Sequence, residues 1–376
     1  MPTSNRPKRG LDVPRSSVTA PDGLLIVDKP AGVTSHDVVA AVRRLAATRK
    51  VGHAGTLDPM ATGVLVIGIG KATRLLTHIV GADKAYSATV QLGITTDTDD
   101  SEGVVISARG SHALENKASG VDVNAVSKLV NVASEDVSPI LDDLTASADD
   151  ATAGATDVNV VLEAELDKLR GEIMQVPTTV SAIKIDGERA HARHRAGEKV
   201  EIPARPVTIS RLECTSEIKS EIVRIDGEDV AVSSFDLDVE CSSGTYVRAI
   251  ARDLGGALGT GGILTRLRRT RVGKWTLQDA QTIDQLIAHV ESQPAESPEP
   301  IPVIPLTRAC TEQFASLDLE YEEAEAMRHG NVTKLRPRTP DGEIAACLWN
   351  GNVRALVKRA GDKYEPVVVF ATGPLD

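Results

Sequence analysis

The chain has 376 residues, 41% hydrophobic and 25% charged, with a net charge of −11; that length suggests about two domains and enough chain for a full-sized core. No run approaches the ~20 apolar residues of a membrane span, and the basic N-terminus is followed by no signal-peptide stretch, so a cytoplasmic protein without a membrane role is expected. The four cysteines, Cys214, Cys241, Cys310 and Cys347, form no C-x-x-C pair and have no histidine at ligand spacing, which argues against a disulfide framework or structural zinc.

Residues 1–20 read as a disordered basic tail. Leu24–Val27 is a short buried strand that runs into the turn Asp28-Lys29-Pro30-Ala31-Gly32. A helix follows, with Ser35 as its N-cap and Val38, Val42 and Leu45 at helical spacing, up to the basic end Arg43, Arg44, Arg49 and Lys50. Residues 51–63 are a glycine-rich loop. Val64–Ile69 is a further strand, Lys71–Val80 is helical, and Tyr86–Leu92 alternates as a half-buried strand. Val64–Lys71 has the look of a strand feeding a phosphate loop, but Leu65, Ala72 and Thr73 stand where nucleotide-binding motifs need other residues.

From 107 to 157 the pattern dissolves into an acidic insertion expected to be disordered. Residues 97–167 hold 16 acids and three bases, so the global acidity is a local feature and the remaining chain is slightly positive. Val180–Ile185 reads as a strand, Asp186-Gly187 as a turn and Glu188–Ala196 as a basic helix. Phe235–Cys241 is a strand, followed by a helix whose apolar face is Val247, Ile250, Ala251 and Leu254, with Arg248 and Arg252 on another face. Residues 246–274 carry six arginines and Lys274 against Asp253, a stripe suited to phosphates. Five prolines between Glu291 and Pro305 suggest an extended linker. The runs Ala345–Leu348, Val353–Val357 and Val367–Phe370 favour a small β-rich module in residues 301–376.

On spacing alone, Asp58 in the loop Gly52–Gly63 reads as a capping aspartate in a turn. The whole segment Gly52-His53-Ala54-Gly55-Thr56-Leu57-Asp58-Pro59-Met60-Ala61-Thr62-Gly63, however, closely resembles the signature of the TruB family of pseudouridine synthases. The match extends through Asp28–Gly32, Lys84-Ala85-Tyr86, Gly93–Asp99, Gln175-Val176-Pro177, Ser181–Lys184, Gly244–Arg248 and Leu267-Arg268-Arg269. The resemblance covers roughly residues 22–290 apart from the insertion.

That resemblance implies an α+β pseudouridine-synthase fold. Its catalytic domain, residues 21–300, would have a central mixed, mostly antiparallel sheet flanked by helices and crossed by an active-site cleft, with a PUA-like domain at 301–376. It implies a uridine of transfer RNA as substrate, position 55 of the T-arm in the bacterial branch, with neither metal nor organic cofactor. Asp58 corresponds to the nucleophile, Tyr86 and Tyr246 to pocket tyrosines, and Tyr246 also to a base for the C5 proton. Arg248 corresponds to the partner of the catalytic carboxylate, Leu267 to a wall of the uracil pocket and His53 to a contact with the displaced RNA loop.

Lys29, Arg49, Lys50, Lys184, Arg189, Arg193, Arg266, Arg268, Arg269, Arg271 and Lys274 are assigned collectively to phosphate contacts. Val180 and His191 depart from aromatic residues found in some members. A monomer is expected. Two rival readings remain: a non-catalytic RNA-binding or RNA-folding module, and a glycosidase-like hydrolase, against which the lack of a second acid at a comparable signature argues.

Overall fold

The computed structural model describes residues 10–118, 157–178, 184–185, 188–189, 202–370 and 375. They fall into two compact units, one made of the segments 1–82 and 269–376 and the other of residues 83–268.

The first unit begins with a segment that is packed rather than disordered. Val13 and Ala20 are buried, and the amides of Ser16 and Ala20 donate to the carbonyls of Arg44 (3.1 Å) and Ala46 (3.0 Å). The described residues 10–20 are therefore not a disordered tail, and residues 1–9 of that expected tail lie outside the described residues. β1 (Gly23–Lys29) pairs antiparallel with β3 (Thr62–Ile69), and β3 pairs with the short β2 (Val51–His53). His53 thus sits on a strand, not in a loop.

Between β1 and β2 runs α1 (Ser35–Leu45), which buries Val38, Val42 and Leu45. Its N-cap is Thr34, not Ser35: Thr34 and Asp37 form a reciprocal capping box, because Thr34 has the extended backbone that a cap requires. Ser35 already lies inside the helix, where its hydroxyl is free for another task. The helix stops at Leu45, short of the basic end expected at Lys50, and Ala47 turns left-handed at φ 48°. A 3-10 turn, Gly70–Arg74, and α2 (Leu76–Val80) complete this segment.

The second unit is built on an antiparallel sheet. β4 (Lys84–Leu92) alternates buried and half-exposed residues, as a sheet with one covered face requires. It is followed by the two-stranded pair β5 (Thr95–Thr96) and β6 (Val105–Ser107), and by α3 (His112–Ala118). Next come α4 (Val158–Asp167) and β7 (Gly171–Gln175).

Both ends of the proposed insertion are therefore structured. Leu114 is buried, and Lys117 reaches Glu165 at 2.6 Å. The rest of it, residues 119–156, lies outside the described residues.

β8 (Lys184–Ile185) and β9 (Glu188–Arg189) pair antiparallel, so the expected basic helix does not begin at Glu188. Its remainder, with Arg193, and the motif residues 181–183 lie outside the described residues. β10 (Arg205–Cys214), β11 (Lys219–Ile225) and β12 (Glu228–Cys241) follow, giving the order β4-β12-β10-β7 with β11 also on β12.

α5 (Val247–Leu258) ends at Gly259, whose left-handed φ of 77° closes the helix. It buries Val247, Ile250, Ala251 and Leu254, as its spacing demands, but also Arg248. The chain returns to the first unit within β13 (Gly262–Val272).

There β14 (Trp275–Thr276) pairs with β13, and β15 (Gln281–Thr282) lies parallel to β1 ahead of α6 (Ile283–Glu291). The proline-rich segment is no free linker: Ile301 is buried, and β16 (Ile304–Pro305) pairs antiparallel with β1. Proline is tolerated there because Pro305 ends a two-residue pairing.

α7 (Leu306–Gln313), β17 (Ala315–Asp318), α8 (Tyr321–Arg328), β18 (Ile344–Trp349), β19 (Asn352–Ala360) and β20 (Lys363–Val369) finish the chain. They form a four-stranded sheet in chain order, parallel only between β17 and β18. It does not stand apart: Ala346, Val353, Leu356 and Phe370 share a core with Leu24, Ile26, Val64, Val66 and Trp275. The architecture is α+β with mixed, mostly antiparallel sheets. Among the described residues no helix is long and apolar enough to cross a membrane.

Candidate active site

In the first unit, Asp58 sits half-buried in the loop between β2 and β3. The loop is anchored in the core at both sides by Ala54, Leu57 and Ala61, and its backbone closes with the Ala61 amide donating to the Asp58 carbonyl at 3.1 Å. Three buried side chains grip its main chain.

Ser35, 1% exposed, accepts from the Leu57 amide at 2.9 Å and donates to the Leu57 carbonyl at 3.2 Å. Lys29, 0% exposed, donates to the carbonyls of Pro30 (2.9 Å), Val33 (2.7 Å) and Pro59 (3.2 Å). Arg269, 1% exposed, donates to Val64 (2.8 Å), Thr56 (3.3 Å) and Gly55 (3.1 Å).

Each clamp satisfies backbone groups that a buried loop would otherwise leave unpaired. Gly63 completes the frame. Its φ is +102°, and a Cβ there would strike the backbone of Arg269, so only glycine lets these strands approach.

Two phosphate assignments fall on this geometry. Lys29 and Arg269 turn inward onto carbonyl oxygens and present no charge to RNA. Arg271 is half-exposed and donates to Gly273 at 3.2 Å, while Arg49, Lys50 and Lys274 are exposed. His53 stands edge-on to His36 with ring centres 5.5 Å apart. Burial first, and then His36, hold its imidazole below the ordinary histidine range, so it is neutral at pH 7.

In the second unit, Tyr246 immediately precedes α5. The amide side chain of Gln175 clamps its backbone, accepting from Tyr246 N at 2.8 Å and donating to Tyr246 O at 3.1 Å. Two residues on, Arg248 donates to the Thr98 carbonyl (2.7 Å) and pairs with Asp100 at 3.1 Å, both side chains 5% exposed.

Arg252, one turn later, meets Asp99 at 3.3 Å and Asp253 at 2.8 Å. Asp99 has a left-handed φ of 60°, and burial pushes its carboxyl up to about 6 against the pull of Arg252 and Arg248. Tyr86 is buried on β4, opposite Val239. Leu267 is buried on β13, Arg268 beside it is half-exposed, and Arg266 pairs with Asp236 at 3.1 Å. Of Lys184 and Arg189 only the backbone strand pairing is described.

The candidate residues therefore form two sets. Lys29, His53 and Asp58 lie in the first unit, and Tyr86, Tyr246, Arg248, Leu267 and Arg268 in the second. Sequence reasoning missed the supports: Ser35 and Arg269 behind the Asp58 loop, Gln175 behind Tyr246, and Asp100 behind Arg248. Gln175 falls inside a quoted motif, and Asp100 directly follows one, so a signal for both was present. Among the described residues no cluster of His, Cys, Asp or Glu could hold a metal.

The model of the TruB family pseudouridylate synthase N-terminal domain matches residues 43–141 and 141–247, and that of the tRNA pseudouridylate synthase B C-terminal domain matches residues 248–309. The chain belongs to the TruB family. A tRNA pseudouridine synthase B of Arthrobacter sp. (strain FB24) is 44% identical over 356 residues, covering 93% of this chain and 96% of the relative. The protein of the same description from Mycolicibacterium paratuberculosis is 45% identical, covering 95% and 100%.

Among solved structures, an H/ACA ribonucleoprotein bound to a substrate RNA containing 2′-deoxyuridine has a chain that superposes with a TM-score of 0.56. The identity is 19%, with 94% of this chain and 86% of that one covered. A chain of an archaeal box H/ACA Nop10–Cbf5 complex gives 0.55 at 19%, covering 97% and 95%. At that identity the likeness concerns the fold, and it agrees with the α+β architecture of this TruB-family chain.

Proposed function

We propose that this chain isomerises a uridine of transfer RNA to pseudouridine, and that its target is position 55 in the T-arm. The C1′–N1 bond breaks, the uracil turns, C5 bonds to C1′, the C5 proton leaves and N1 takes up a proton.

In this reading the carboxylate of Asp58 attacks or stabilises the electron-poor C1′ as the glycosidic bond breaks, much as a glycosidase carboxylate does. Arg248 keeps that carboxylate ionised, and Tyr246 removes the C5 proton. Tyr86 and Leu267 receive the flipped base, whose extraction from its stack costs on the order of a few kcal/mol. His53 meets the displaced loop, and Arg268 a phosphate. Lys29 supports the loop instead of binding RNA.

The observation that carries the proposal is the immobilised loop. Three buried polar side chains each place at least one hydrogen bond on the backbone on either side of one aspartate, the preorganisation that a reacting carboxylate needs. Asp58→Asn tests it. With an unmodified tRNA transcript, pseudouridine formation should vanish while RNA binding survives. Normal turnover by that variant would sink the mechanism, and binding without turnover by the unaltered chain would favour an RNA-folding module.

A further inference from the structure

Beyond the loop of Asp58, the first unit carries a surface cavity of about 520 Å³ lined by Arg15, Arg43, Arg44, Ala47, Thr48 and Arg49. Four of its six lining residues are arginines and none is acidic. Among the described residues, no carboxylate pairs with any of the four guanidiniums, whereas Arg211, Arg252 and Arg266 elsewhere on the surface are all neutralised by acids.

Two of the four are fixed by neutral partners that leave their charge intact. Arg43 donates to the Val51 carbonyl at 3.3 Å and Arg44 to the Val13 carbonyl at 2.8 Å. The early stop of α1 and the left-handed Ala47 bring Arg49 round to the same cavity. The packed segment at Val13–Ser16 delivers Arg15 from the other side of the helix end.

Four exposed, unneutralised guanidiniums around one concavity make a local positive potential in a chain whose net charge is −11, and such a potential attracts an anion. Guanidinium forks match phosphate oxygens in geometry as well as charge. We propose that this arginine pocket binds the sugar-phosphate backbone of the RNA substrate, as an anchor separate from the loop that carries Asp58. Arg49 precedes Asp58 by nine residues, so the two are at most about 30 Å apart along the chain. One folded RNA can reach both. The inference rests on the reading of the chain as an enzyme of transfer RNA.

The test uses the full chain and an unmodified tRNA transcript. The side chains of Arg15 and Arg49 are exposed and make no hydrogen bond among the described residues, so the double variant Arg15→Glu/Arg49→Glu should fold as the parent does. Its dissociation constant should rise on the order of tenfold or more. The slope of log affinity against log salt should become shallower by roughly 1 to 2, since each lost phosphate contact removes about 0.7–0.9. The kinetic loss should fall on KM, and Arg15→Lys/Arg49→Lys should recover much of the salt slope.

Unchanged affinity and slope in the glutamate variant would overturn the proposal, as would binding of inorganic phosphate in the pocket with unaltered tRNA affinity. Pseudouridine is measured in the same reactions. Its absence with the parent chain overturns the enzymatic reading, whereas its presence beside unchanged tRNA affinity overturns the pocket alone.

Discussion

Replacing Ser35 with alanine removes one hydroxyl and nothing else, and two readings of that hydroxyl predict different outcomes. Were it a helix cap, the loss would be about 1 kcal/mol of stability with the chemistry intact. In the structure it bridges to both backbone groups of Leu57, next to Asp58, from a site 1% exposed. Its removal leaves a buried amide unpaired, which costs about 1–3 kcal/mol. A domain of ordinary stability, about 5–15 kcal/mol, remains folded after such a loss.

The loop is then free to relax, and a displacement near 1 Å at a reacting group costs about 100-fold in rate. Ser35→Ala should therefore unfold at lower urea concentration and show a kcat lower by about 10- to 100-fold, with RNA affinity retained. Thr34→Ala, which removes the true cap, should lose about 1 kcal/mol and keep its kcat. Urea titration and single-turnover pseudouridine formation on a tRNA transcript measure both. A Ser35→Ala protein with full kcat would refute the clamp, whatever its stability.

Asp99 predicts a pH dependence of folding. Its carboxyl is raised to about 6 in the folded chain, above the unfolded 3.8, so the native state holds the extra proton between those values. This group therefore adds stability below about pH 4 that is lost as pH rises towards 6, up to about 3 kcal/mol. Asparagine also tolerates the left-handed backbone, so Asp99→Asn should flatten that part of the urea-midpoint profile; an identical pH profile would contradict it. Deleting residues 119–156 behind a short glycine-serine linker should leave turnover largely intact, whereas a cut that includes α3 should also lose the Lys117–Glu165 pair and the burial of Leu114. A large loss of kcat from the shorter deletion would give that segment a part in RNA handling.

Much of the fold was legible because its strands obey simple rules. The apolar runs at 24–27 and 64–69, the alternation at 86–92 and the three short runs near the C-terminus all appear as strands. The signature loop located Asp58. What escaped was the direction of polar side chains: Lys29 and Arg269 looked like RNA contacts because a cation in a chain is ordinarily solvated.

For Arg269 a signal existed. Pleating places residues two apart on the same face, so a buried Leu267 implies a buried Arg269. Ser35 was hidden by Thr34, since adjacent hydroxyl residues at a helix start are interchangeable as caps by type and are separated only by backbone conformation. The proline-rich segment misled because composition carries no trace of Ile301 and Ile304 docking on a distant strand.

The grip of Arg269 on the signature loop also sets a constraint in time. The arginine lies 213 residues beyond Thr56, whose carbonyl it holds. On a ribosome adding about 5–20 residues per second, the loop emerges roughly 10–40 seconds before the side chain that fixes it. β1, which pairs with β3, must also wait for its own partners at 281–282 and 304–305. A nascent chain that ends before Arg269 thus carries Asp58 without the hydrogen bonds that Arg269 makes to Gly55 and Thr56 of its loop. Such late, long-range closure makes for slow folding.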